Sequence, residues 1–166
     1  MRSRMVASLE MVLVVVAGCG VGPRSEVGAD GDLEVDRVVV GRTSRLLDGP
    51  ALAAYCANDS LLTVVAVGRN GAAGIAVRTT LPLTRTKSFA VAPGPAVTAS
   101  AAVAVRLGTG AARIGISGSL RLEGTTTVSG DFDVALPDSA GAHPRLTGRL
   151  SRIPIRTGPR AGCGAI

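Results

Sequence analysis

Apolar residues recur at every second position along most of this chain, and that period is the mark of extended strands with one buried face. Leu33 and Val35, continued by Val38 to Val40, predict a first strand. Leu61 to Val67 is apolar on both faces, which predicts a central strand, and Arg69-Asn70-Gly71 after it suits a hairpin turn. Ala73, Ile75 and Val77 then alternate with Gly74, Ala76 and Arg78. Phe89-Ala90-Val91 predicts a short strand between Pro82 and the Pro93-Gly94-Pro95 block. A longer one is predicted over 96–107, with Val97, Val103, Val105 and Leu107 on one face, and Gly108-Thr109-Gly110 turns the chain.

The second half repeats itself. Ser117-Gly118-Ser119-Leu120, Ser129-Gly130-Asp131-Phe132 and Thr147-Gly148-Arg149-Leu150 each place a hydroxyl residue, a glycine, a polar residue and a large apolar one in order. In an extended chain the glycine and the apolar residue share a face. Three meandering strands follow from this, with the glycines marking close approach of a ring or a strand, or a bulge. Glu123-Gly124 supplies one turn, and residues 137–144 a longer one.

Asp48 to Ala57 is the one segment with a helical alternative: Asp48 can cap it, Pro50 suits a first turn, and alanines favour it. An edge strand carrying Cys56 into the core is the other reading. Either way the chain is all-β, an antiparallel β-sandwich or barrel of about eight to ten short strands. The domain spans 33–166.

The first eighteen residues have another character. Arg2 and Arg4 precede the apolar run Met11 to Val16, which ends in Ala17-Gly18 before Cys19. That is the order of an export signal, and the run is far shorter than the roughly 20 residues needed to span a bilayer. Small, small, Cys resembles the lipobox of bacterial lipoproteins. The resemblance implies a signal peptide over 1–18, cleavage before Cys19, and diacylglycerol on its thiol. It implies a cell-envelope address, with Gly20 in place of an inner-membrane Asp favouring the outer membrane, facing periplasm or exterior. An ordinary cleaved signal peptide has no need of a cysteine at that place. Residues 19–32, rich in glycine and charge without apolar period, then read as a lipidated N-terminus and flexible spacer. Tyr55-Cys56, the repeated glycine strands and Cys163 also resemble uncharacterised β-rich lipoproteins of GC-rich Gram-negative bacteria.

Composition narrows the picture. The formal charge is +6, and every basic residue but Lys87 is arginine. Aromatic residues make up 2% of the chain, so Val, Ala, Leu and Ile must fill the core. Scattered arginines without aromatic partners do not make a nucleic-acid surface. The partner implied is the membrane, through lipid on Cys19; attraction to anionic lipid or a wall polymer is a looser alternative. With Cys19 assigned to lipid, Cys56 and Cys163 are left as a pair in a compartment that permits disulfides. A Cys56–Cys163 bond would close a loop of roughly a hundred residues, an effect of about 4–5 kcal/mol in the chain-entropy picture.

Candidate chemistry is sparse. The single histidine, His143, sits in a loop, and no Gly-x-Ser-x-Gly elbow accompanies it. Asp131 and Asp133 share a strand face, as the carboxylates of a glycosidase do, but Arg121 is expected opposite them. Asp30, Asp32, Glu34 and Asp36 alternate without completing a calcium loop. Gly108 to Arg113 opens like a dinucleotide loop but lacks a helix to receive phosphate. No catalytic set, metal or cofactor is therefore expected. The function that remains is a lipid-anchored envelope β-domain with a structural or binding role. An exported hydrolase using Asp131, Asp133 or His143, or a barrel holding a small apolar ligand, are the alternatives.

Overall fold

The computed structural model describes residues 31–39, 41–94, 96–97, 99–137 and 144–157. The strands are β1 (Asp32–Val39), β2 (Arg42–Cys56), β3 (Leu61–Gly68), β4 (Gly71–Arg78), β5 (Leu83–Val91), β6 (Ser100–Leu107), β7 (Arg113–Ile114), β8 (Ser117–Gly124), β9 (Thr127–Ala135) and β10 (Arg145–Thr157). They form one sheet in the order β4-β3-β2-β1-β10-β9-β8-β5-β6-β7, and a further pairing of β4 with β6 closes it. The result is a closed mixed barrel of nine strands, with β7 added beside β6. Of the sandwich and the barrel, the barrel forms.

Closure needs one step that is not antiparallel. β5 runs parallel to β6 at Ala90↔Ser100 and Val91↔Ala101. Beyond that point β7 takes over the same edge of β6, through Ala104↔Ile114 and Val105↔Arg113. At the opposite side, β10 passes the start of β1 and continues parallel to β2 at Ile155↔Ala53 to Thr157↔Tyr55. Two bulges bend the strands around this junction. Leu46 is extra in β2 between Arg45 and Leu47, and Ser151 and Arg152 of β10 face Ser129 alone. Arg152 is left-handed there (φ 50°), and its N–H donates to Ser129 Oγ at 3.0 Å.

Rows of paired residues show how the interior is filled. One inner row runs Val35, Gly148, Phe132, Leu120, Phe89 across β1, β10, β9, β8 and β5. On one side of it runs Leu33, Leu150, Gly130, Leu122, and on the other Leu146, Val134, Gly118. Each of these three stretches holds one glycine, on β10, β9 and β8 in the order given. A barrel of this size has just enough width for side chains to meet across it, so large residues are offset by small ones. A Cβ on Gly148 would meet the Phe132 ring, and one on Gly130 the Arg121 carbonyl and Leu122. The repeated glycine motif is thus the packing code of this wall, as the alternation predicts. On the facing wall, alanine takes the same part: Ala51, Ala66 and Ala73 form one inner row.

Three expectations are corrected. Residues 48–57 are not helical: 48–56 belong to β2, paired on both sides, because alanine at alternate positions fills the narrow inner rows. β2 is no edge strand, and Cys56 at its end is buried. It stands opposite Leu61, and Ala53 and Tyr55 beside it hold the inner face. The strand predicted over 96–107 begins only at Ser100, and Val97 is 57% exposed, because Ala99 turns left-handed (φ 65°) just before it.

Candidate functional surface

Two unlike outer faces result from this register. On β8, β9, β10, β1 and the first half of β2 many outward positions are charged. Arg121, Asp131, Arg149, Glu34 and Asp48 stand side by side in one row. Arg121 grips Asp131 through Nη2 at 2.8 Å and Nε at 3.1 Å. Arg145 takes Asp133 in the same two-pronged way, Nη2 to Oδ2 at 2.5 Å and Nε to Oδ1 at 2.9 Å. Arg45 reaches Asp36 Oδ1 at 2.6 Å, Asp48 Oδ2 at 3.1 Å and Glu34 Oε2 at 3.5 Å. The hydrogen bond to Asp36 raises the pKa of Arg45 against a smaller desolvation effect, and the neighbouring carboxylates add to it. The hydrogen bond to Asp131 does the same for Arg121.

This places the sequence-derived candidates. Asp131 and Asp133 do share a face, but it is the convex outer one, and each is held by its own arginine. Arg121 opposes Asp131 as expected. Glu34 and Asp36 converge on the Arg45 guanidinium, which occupies the position a cation would take. Among the described residues no group of three or more His, Cys, Asp or Glu comes together as a metal site would. Gly108 to Gly110 is a turn between β6 and β7, with no helix after it. Cys19, Asp30, His143 and Cys163 lie outside the described residues.

Cys56 is 6% exposed and is not a free thiol. It lies at the lower end of the barrel, where β1 begins at Asp32 and β10 ends at Thr157 opposite Tyr55. Gly31 is packed there against the Arg152 bulge, and its carbonyl accepts from the Ala51 N–H at 3.1 Å. The chain therefore enters and leaves the barrel at one end.

The interior is apolar and occupied. Phe89, Leu33, Leu62, Leu120, Leu122, Leu146, Leu150 and Ile153 are among its fully buried side chains. Arg37 is the exception that sequence alternation alone could have shown. It falls on the face of Leu33 and Val35, opposite Leu146, at the upper end of the barrel. Its Nε is shielded from solvent and has no hydrogen-bond partner. An apolar interior with a charged outer wall is the reverse of a membrane-spanning barrel, whose lumen is polar. Among the described residues no helix is long and apolar enough to cross a membrane.

No family model, curated protein or solved structure matches this chain.

Proposed function

We infer that the chain is an exported lipoprotein whose barrel serves a structural or binding role at the cell envelope and is not a catalyst. The lipobox-like stretch ending in Cys19 carries this reading. Its support from the fold is the placement of Gly31: a tether leaving the barrel at one end lets both outer walls face the envelope. From Cys19 to Gly31 an extended chain reaches about 40 Å, enough to hold the barrel clear of a bilayer or to lay it on one. Acyl chains on Cys19 would supply the anchoring, since two or more chains hold stably where one does not.

The same reading pairs Cys56 with Cys163. Thr157 stands beside Tyr55, the neighbour of Cys56 in β2, and Cys163 is six residues further along the sequence. The hydrolase alternative loses its carboxylate pair, because Asp131 and Asp133 are bound to arginines on a convex face. The apolar-ligand alternative would need the space that Phe89, Phe132 and the leucines fill.

The intact mass of protein extracted from membranes tests the anchor. Diacylglycerol and an N-acyl group should add their mass to residues 19–166. An unmodified mass for that fragment would refute the proposal.

A further inference from the structure

β5 pairs with β8 from Leu83 to Val91 but meets β6 only at Ala90 and Val91. Among the described residues no strand lies on the other side of Leu83 to Phe89, so this stretch is an open edge of the sheet. Such an edge offers unpaired N–H and C=O groups to any strand that arrives, including one from a second copy of the chain. The first half of β2 is one-sided as well, since β3 joins it only from Ala51 onward. There the Leu46 bulge and Pro50, which has no N–H to give, interrupt the ladder.

The β5 edge is built differently. Thr84, Arg85, Thr86, Lys87 and Ser88 are exposed one after another, so neither face of the strand is covered there. Thr84, Arg85 and Thr86 stand against Glu123 alone, between the pairs Leu83↔Gly124 and Lys87↔Leu122. This bulge disturbs the even spacing that an added strand would need. Lys87 is placed more tellingly still. It ends the inner row Leu33, Leu150, Gly130, Leu122, on the face of Phe89, at the point where the next strand is missing. Its Nζ lies 5.5 Å from the centre of the Phe89 ring and donates to Thr79 Oγ1 at 3.3 Å. No carboxylate pairs with it among the described residues.

We propose that Lys87 guards the β5 edge, as an inward-pointing charge at the end of an apolar row that keeps a second copy of the chain from adding its own β5 edge to edge. A strand added here would continue the inner row over the ammonium and take it out of water without supplying a counter-ion. An ammonium is a compact, strongly hydrated charge, which makes that covering costly. Two copies meeting antiparallel about Thr86 would set Arg85 against Lys87, and about Lys87 would set that residue against itself. Like charges directly opposite destabilise such a pair. Because the rest of the row is apolar, one substitution suffices to remove the guard. It acts with or without a lipid anchor.

The test uses the chain from residue 19 onward with Cys19→Ser, which carries all ten strands and no acyl group. In sedimentation velocity it should be a monomer, and Lys87→Ile should about double the weight-average mass at the same concentration. Lys87→Arg keeps a charge at the position and should stay monomeric. Arg149→Ile also trades an exposed cation for an apolar side chain, but on a strand paired on both sides, and should stay monomeric too. In the Lys87→Ile dimer the amides of residues 84–88 should exchange about tenfold more slowly than in the monomer. Circular dichroism checks that each variant is folded, and Lys87→Val, the smaller change, replaces Lys87→Ile if that chain does not fold. A folded variant that remains a monomer, a dimer without slower exchange at 84–88, an equal dimer from Arg149→Ile, or a dimeric parent chain would overturn the proposal.

Discussion

Gly148 of β10 stands directly opposite Phe132 of β9, and the Phe132 ring occupies the place above it where a Cβ would be. The Glu34 carbonyl closes the same space from β1. Gly148→Ala should therefore force the ring or the strand aside and cost about 1–3 kcal/mol, as overpacked cores do. Urea denaturation measures it, and a midpoint equal to wild type would show that the inner row has slack.

Burial separates leucine and valine positions that look alike in sequence. Leu120 is wholly buried between Phe132 and Phe89, so Leu120→Ala should cost about 2–5 kcal/mol. Val67, though inside an equally apolar run, faces outward, and Val67→Ala should stay within about 0.5 kcal/mol. Comparable losses at the two sites would mean that the β3 register is shifted by one residue.

The Arg121–Asp131 pair has a defined pH signature. The bond to Asp131 raises the folded-state pKa of Arg121, so on the alkaline side of neutrality the stabilisation persists and is lost only as pH rises through the raised value. Arg121→Gln should shift the denaturation midpoint equally at neutral pH and at about pH 10. A difference that disappears between the two would show that another group carries the interaction.

Thiol chemistry tests the cysteine pairing. Alkylation of the unfolded, unreduced chain should leave Cys56 and Cys163 unlabelled, and reduction should expose both together. The double variant Cys56→Ala, Cys163→Ala should lose about 2–5 kcal/mol relative to the oxidised protein. Labelling of Cys56 without reduction would exclude the bond.

Much of the fold was legible in the chain. Alternation at Leu33 and Val35, in Ala73 to Val77 and in the three glycine repeats placed the strands, because a half-buried strand must alternate. Residues 48–56 were ambiguous because alanine suits a helix locally, and only the narrow interior makes it the right size for β2. The apolar run in β3 suggested a strand covered on both faces. It is covered on one, and Val67 shows why pattern alone could not decide: apolar character says what prefers burial, not whether a partner is within reach. Arg37 was missed for the converse reason, since its place in the alternation was visible but the closure that buries its Nε was not.

The chain by itself determined local geometry: period, turns, the offset of large and small residues, and an apolar run before Cys19. These depend on neighbours a few positions apart. Tertiary structure decided what depends on distant strands meeting. It closed β4 on β6, put Asp131 and Asp133 on a convex face against arginines, and brought the entry and exit of the barrel to one end, near Cys56. The physical reason is that barrel closure fixes which face of every strand looks inward, and no run of sequence contains that choice.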